Sequence, residues 1–442
     1  MTEQLAGAHR PVVVVGAGQA GLSMSYWLQR RGVDHLVLER EAAGHEWRNR
    51  RWDSFCLVTP NWQCRLPGFP YCDGDPHGFM SRDEVVDYVT GYARSFDFPL
   101  VEGVEVVQLR ERGSSGFELS TSVGTLTCDR VVVATGPYQV PHIPSMAGKF
   151  PEAVRQVHSS QYRRPGQLPE GEVLVVGTGQ SGAQIAEDLH RAGRTVHLAV
   201  GSAPRIARFY RGRDVVAWLD EMGYYEKSVD SFDDVDSVRF RANHYVTGRG
   251  GGRDIDLRVF AREGMRLYGR LSGLRSGSLS FSQDLRENLD HADATLEAVK
   301  DSIDEHIRAH GIAAPTESRY RPVWIPDEQP SQLDLARTRI TSVVWCTGFD
   351  RDDRWIRVPV FDGQGYPTHH RGVTRCPGLY FLGLPWQYTW GSGRFSGVGA
   401  DAEHLTQHIV SAAAAEAPSD IPWIAGTPPT RRADDANRKA LV

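Results

Sequence analysis

At 442 residues the chain is long for one hydrophobic core, so two domains of ordinary size are expected. Its 50 Lys+Arg against 55 Asp+Glu leave a net charge of −5, which argues against nucleic acid or a charged membrane surface as a partner. No apolar run is long enough to span a bilayer, residues 1–10 lack an apolar signal segment, and the six scattered cysteines form no Cys-x-x-Cys pair; a reduced, cytoplasmic protein is the expectation.

Val12–Val15 is a β-branched run suited to a buried parallel strand. Gly16, Gly18 and Gly21 follow, enclosing Gln19 and Ala20, and Leu22–Arg31 then reads as a helix stopped by Gly32. A second strand, Leu36–Leu38, delivers Glu39, followed by Arg40. Strand, glycine turn, helix, strand and acid together make a dinucleotide-binding unit. Gly16 makes the turn, Gly18 lets backbone approach a pyrophosphate, Gly21 lets helix pack on strand, and Glu39 accepts bonds from a ribose. Glu41–Trp62 is rich in Trp and Arg. It reads either as a surface loop with cation–π packing or, the favoured reading beside this motif, as the lining for a flat aromatic cofactor. Ser81–Phe96 is an amphipathic helix with a capping box from Ser81 and Glu84. Val104–Leu109, Gly116–Ser120 and Gly124–Cys128 predict an antiparallel meander, and Arg130–Val133 a buried strand leading into Thr135-Gly136.

The proline-rich stretch 137–171 marks a boundary. Beyond it Glu172–Val176, Gly177, Gly179, Gly182 and the helix Ala183–Arg191 repeat the first pattern. Val200 stands where the first unit has its acid, and it cannot hold a ribose hydroxyl. Basic residues follow, among them Arg205, Arg208 and Arg211. A missing acid with cations nearby suits a 2′-phosphate, so the second unit reads as an NADPH site rather than an NADH site; a solvated basic face is the plainer alternative.

Residues 214–334 are the least legible, apart from a long helix over Gln283–His310 ended by Gly311. Thr341–Phe349 is a strand ending in Thr347-Gly348, Gly378–Leu384 is another strand and turn, and Gly399–Ala414 is a closing helix before a polar tail. Sixteen histidines show no ligand spacing, so no metal is expected.

These motifs resemble the two-dinucleotide flavoproteins and, within them, the NADPH-dependent class B flavin monooxygenases. The resemblance rests on Gly16–Gly21 with Glu39, on Gly177–Gly182, on Ala134-Thr135-Gly136, on Thr347-Gly348 and on His158-Ser159-Ser160-Gln161-Tyr162. The last is the end of a family fingerprint; its front departs, with Glu152 after Phe150 and His158 eight residues beyond. The resemblance implies an α/β fold of two Rossmann-like domains, the FAD domain discontinuous and the NADPH domain inserted into it. The expected divisions are 1–165 and 336–425 for FAD, 166–335 for NADPH with a long insertion at 214–334, and a polar tail at 426–442. It implies Glu39 on the FAD ribose, Gly16, Gly18 and Gly21 at its pyrophosphate, and Trp47 beside the flavin. Gly177, Gly179, Gln180, Ser181 and Gly182 would cradle the NADPH phosphates, Ser202 and Arg205 would meet the 2′-phosphate, and His158 would be a structural residue at the hinge. The implied reaction passes oxygen from O2 through a flavin C4a-(hydro)peroxide to a small organic substrate by N- or S-oxidation or Baeyer–Villiger chemistry. Asn61 is the candidate hydrogen-bond partner for peroxide or substrate, its alternative being a turn asparagine, and Trp386, Tyr388 and Trp390 are candidate pocket walls. The rivals are a flavoprotein reductase without oxygen insertion, disfavoured in its dithiol form by the scattered cysteines, and a non-catalytic FAD-binding protein. A homodimer is left open.

Overall fold

The computed structural model describes residues 5–113, 116–240 and 242–416; the tail expected from 426 onward lies outside them. Strand β1 (His9–Val15) leads into helix α1 (Gln19–Arg30) and strand β2 (His35–Glu39). Val12, Val13 and Val14 are almost wholly buried, as a strand covered on both faces requires. Helix α2 (Arg82–Ser95) starts at Ser81, whose hydroxyl accepts from the Glu84 N–H while the Glu84 carboxylate accepts from the Ser81 N–H; Val85, Val86, Tyr88, Val89 and Tyr92 face the core.

Strands β3 (Leu100–Glu102), β4 (Val106–Glu111), β5 (Phe117–Thr121) and β6 (Gly124–Val133) follow. The meander and the buried strand expected as separate pieces are joined in β6. Its first half pairs antiparallel with β5, and its second half lies parallel to β1, Val131 opposite Val13.

The chain then crosses to a second sheet through β7 (Arg155–His158), β8 (Glu172–Val176), α3 (Gln180–Arg191), β9 (Val196–Ala199) and β10 (Arg266–Tyr268). Helix α4 (Leu285–His310) packs Leu285, Leu289 and Ala292 into this core, and Gly311 ends it at φ 62°. After β11 (Ile340–Trp345) the chain returns to the first sheet with β12 (Leu379–Phe381) and closes with helix α5 (Val398–Glu416) against α1.

The first sheet has the parallel order β12-β6-β1-β2-β3, extended antiparallel by β4 and β5 and, beyond β12, by the short strands Val373–Thr374 and His369–His370; the second is all parallel, β7-β11-β8-β9-β10. The expected α/β class with two Rossmann-like units is what this order describes. The expected divisions need correction. β7 lies before 165 and β11 lies after 336, yet both belong to the second sheet, with β11 at its centre beside β8. Nor is 214–334 a separate insertion as a whole, because it supplies β10 and the core face of α4. Within it, 225–238 packs on the first domain: Val229 N–H donates to the Tyr388 carbonyl at 2.7 Å, Phe232 packs edge-on against Trp386, and Val238 joins the same cluster.

Candidate active site

A continuous cavity of about 1430 Å³ opens between the carboxyl ends of the two sheets and is lined from both glycine loops. Such strand ends are where open α/β sheets take ligands. The two loops share one geometry. Gly16 has φ +103°, and a side chain there would put its Cβ 2.7 Å from the Ala134 carbonyl oxygen; Gly177 has φ +100° and the matching distance to the Cys346 oxygen is 2.6 Å. A Cβ on Gly21 would lie 1.8 Å from the Gly16 oxygen, and one on Gly182 would lie 2.0 Å from the Gly177 oxygen. At Gly18 and Gly179 a Cβ would meet nothing within 4 Å, because the space there is the cavity itself. Helices α1 and α3 begin at these glycines with no side-chain cap and no acid in the first turn. Their free N–H groups and positive dipole ends therefore remain for an anion. The residues fit two dinucleotide pyrophosphates.

Glu39 ends β2 at the cavity. One carboxylate oxygen accepts from Ala17 N–H at 2.7 Å and the other from Glu41 N–H at 2.9 Å, which fixes the group and leaves lone pairs for ribose hydroxyls. Gln19, Ala20, Arg40, Trp47, Thr135 and Gly136 share this end of the cavity lining; the Gln19 amide reaches the Gly393 carbonyl at 2.9 Å. Trp47 stacks on Phe395, with centroids 5.6 Å apart. In the second unit Gln180 and Ser181 line the cavity, and the Gln180 amide also holds the Val246 carbonyl at 2.5 Å. Gly348 lines it too, whereas the Thr347 hydroxyl turns away to the His142 carbonyl. His158 is fully buried; its Nε2 bonds the Gly348 carbonyl at 2.9 Å, and burial holds it below the usual histidine range, as a neutral clamp between β7 and the turn after β11.

Besides Thr347, three expected site residues lie elsewhere. Arg205 is 2% exposed, paired with Asp256 at 3.1 Å and Asp293 at 2.7 Å, and lies 4.1 Å over the Tyr320 ring. Its charge is already neutralised, so it is not free to meet a 2′-phosphate. Ser202 is exposed and outside the cavity lining. Asn61 is buried outside the lining, and its amide donates to the Asp75 carbonyl at 2.8 Å, as a turn asparagine does. Gln63, two positions on in the same helical turn, faces the cavity instead, with a buried Oε1 lacking a partner. Trp386 and Trp390 are walls; Tyr388 is not, its ring lying under Arg371 at 4.0 Å. Sequence reading missed Tyr138, Tyr225, Arg394 and Phe395, all of which line the cavity. For Arg394-Phe395 a signal existed: the aromatic and glycine-rich run 386–399 in which they stand.

A family model described as pyridine nucleotide-disulphide oxidoreductase matches residues 13–242, just over half the chain. An uncharacterized CzcO-like oxidoreductase of Geobacillus kaustophilus is 34% identical over 404 residues, 90% of this chain and 98% of that protein. Among solved structures, a flavin-containing monooxygenase from Stenotrophomonas maltophilia superposes with a TM-score of 0.62 at 20% identity, covering 92% of this chain and 99% of that one. An ornithine N-hydroxylase of Kutzneria sp. 744, with reduced FAD, NADP+ and L-ornithine, gives 0.59 at 17% identity over 92% and 100%. The chain belongs to the pyridine nucleotide-disulphide oxidoreductase family, the two-dinucleotide flavoproteins. It is a flavin-dependent oxidoreductase whose fold is that of the class B flavin monooxygenases. No helix among the described residues is long and apolar enough to cross a membrane.

Proposed function

We propose that the chain is an FAD-dependent, NADPH-consuming monooxygenase that oxygenates a small organic molecule. The observation that carries this reading is the single cavity shared by both glycine loops, which lets two dinucleotides meet at their reactive ends. FAD takes the loop at Gly16–Gly21 and NADPH the loop at Gly177–Gly182. In the second unit the place of the ribose-binding acid is held by Val200, 2% exposed, and this favours the phosphorylated cofactor. The overall balance is substrate plus O2, NADPH and a proton giving oxygenated substrate, NADP+ and water.

Bound together, the two cofactors supply hydride transfer to the flavin and activation of O2. The chain's residues bind, orient and exclude water. The free N–H groups of α1 and α3 hold the pyrophosphates, Glu39 orients a ribose, and Trp47 and Phe395 present an apolar face. Residues 216–240 and 242–246 roof the cavity, with Tyr225 packed against Trp390 at 4.7 Å, and keep water from the reacting end. A dithiol relay needs two neighbouring thiols at the cofactors, whereas Cys346 is the one cysteine in the cavity lining and its thiol is pushed far up by burial. The test is NADPH oxidation under labelled O2 against a panel of amines, thioethers and ketones. One labelled oxygen in a product sustains the proposal. H2O2 as the sole fate of the electrons across the panel would overturn it in favour of a reductase or oxidase.

A further inference from the structure

Among the described residues, two half-buried guanidinium groups of the cavity lining, those of Arg394 and Arg51, have no carboxylate within ion-pair distance. Arg394 donates from Nη2 to Asn243 Oδ1 at 2.9 Å and from Nη1 to the Trp390 carbonyl, and its guanidinium lies 3.9 Å over the Trp390 ring. Arg51 donates from Nη1 to the Arg50 carbonyl at 3.0 Å and lies 5.0 Å over Trp47. Among the described residues no carboxylate lies within 4.0 Å of either; Glu46 acts on Arg51 from beyond that distance and is itself paired with Arg50. Other arginines of the lining do have one: Arg50 has Glu46 at 3.3 Å, Arg208 has Asp214 at 2.5 Å, and Arg351 has Asp353 at 2.6 Å.

The two unanswered cations belong to one place. Trp47, under Arg51, stacks on Phe395, the chain neighbour of Arg394, and the Tyr138 phenol interacts electrostatically with both. Both are half-buried, and that burial pulls both below the ordinary arginine range. A desolvated cation without a counter-charge is costly, and a guanidinium fixed at two points presents its remaining edge to a planar oxyanion. The dinucleotide pyrophosphates already have the N–H groups of α1 and α3. Arg394 instead stands on the wall made by Trp390 and Asn243, the latter from the roof segment. The aromatic faces around it suit a flat apolar body.

We infer that the substrate is a carboxylic acid with a flat apolar body, and that Arg394, with Arg51 beside it, anchors the carboxylate while Trp47, Phe395 and Trp390 wall the body. The inference rests on the monooxygenase reading, but its test needs no turnover. Oxidised, FAD-loaded protein is titrated with phenylacetate and with its neutral amide, phenylacetamide, following the perturbation of the flavin spectrum. The same titrations are run on Arg394→Met, Arg394→Lys and Arg51→Met, with FAD content and NADP+ affinity read alongside. Wild type binds the acid more tightly than the amide. Arg394→Met weakens the acid by roughly ten- to a hundredfold and leaves the amide unchanged; Arg394→Lys recovers part of the loss. FAD content stays full and NADP+ affinity stays within about twofold. Equal binding of acid and amide by wild type overturns the inference. So does a loss confined to NADP+, which assigns the arginines to a nucleotide phosphate, or a loss of FAD in both Arg394 variants, which assigns Arg394 to the flavin. Failure to incorporate oxygen with intact acid binding would count against the monooxygenase reading alone.

Discussion

Gly179 and Gly182 sit three residues apart in the second glycine loop, yet a single methyl group has opposite consequences at the two. At Gly179 the backbone has φ −61°, and a Cβ would meet no protein atom within 4 Å. Gly179→Ala therefore leaves folding nearly unchanged: the gain from a stiffer unfolded chain, about 0.4–1 kcal/mol, is offset by the poorer N-cap. The methyl points instead into the space where a pyrophosphate must approach the N–H groups of α3. Losing one charge-assisted hydrogen bond there costs about 1.5–3 kcal/mol, or roughly ten- to a hundredfold in NADPH affinity. At Gly182 the added Cβ would stand 2.0 Å from the Gly177 oxygen and 3.1 Å from the Cys346 Cβ, with backbone on one side and β11 on the other. Overpacking of this kind costs about 1–3 kcal/mol or more, a drop in Tm of roughly 2–12 °C for a domain of this size. Differential scanning fluorimetry together with NADP+ titration of the FAD-loaded protein separates the two. Gly179→Ala should keep its Tm and lose NADP+ binding, whereas Gly182→Ala should lose Tm. A folded Gly179→Ala protein that binds NADP+ as wild type does would refute the assignment of this loop.

The correction at Arg205 has its own consequence. Arg205→Met leaves Asp256 without its cation, while Asp293 keeps Arg258 at 2.8 Å, so stability falls by about 3 kcal/mol and NADPH affinity of the folded protein is unchanged; an unaltered Tm with a raised NADPH KM would restore the 2′-phosphate role. Glu39→Gln keeps one of the two acceptor oxygens, sets its NH2 against the N–H of either Ala17 or Glu41 and loses the charge, and FAD affinity, read by flavin release on dilution, should fall by roughly tenfold or more. Burial holds His35, His158, His197, His369 and His404 below the ordinary histidine value, His369 at about 3. For these groups the unfolded chain binds the proton first. Their stabilisation is complete above the unfolded value of about 6.5 and is lost as pH falls below it, by up to about 1.4 kcal/mol per pH unit for each fully protonated unfolded histidine. Tm should therefore fall between pH 7.5 and pH 5.5; a flat or rising profile over that window is the contrary result.

Much of the fold was legible because its signals are local. The apolar runs at Val12–Val15 and Val173–Val176, the capping box at Ser81 and the two glycine loops each state their geometry within a few residues. What was not legible depends on partners far away in the chain. β7 is only Arg-Gln-Val-His, too short for a period, and the sheet to which β11 belongs is decided by its pairing with β8. Arg205 reads as a free cation until Asp256 and Asp293 are brought to it. Asn61 was the candidate read from the sequence, which gives no sign of the direction of either amide; the helical turn Asn61–Gln63 aims Gln63 at the cavity instead. Arg394 was overlooked because a lone arginine in a glycine-rich run gives no sign that its carboxylate is missing.

Everything above depends on two dinucleotides meeting in one cavity. Anaerobic titration of the FAD-loaded protein with NADPH tests this most directly. The account predicts that the visible flavin band bleaches completely as one equivalent is added, and that Gly179→Ala shifts the bleaching to higher NADPH. A flavin that stays oxidised while NADPH remains in excess would contradict it.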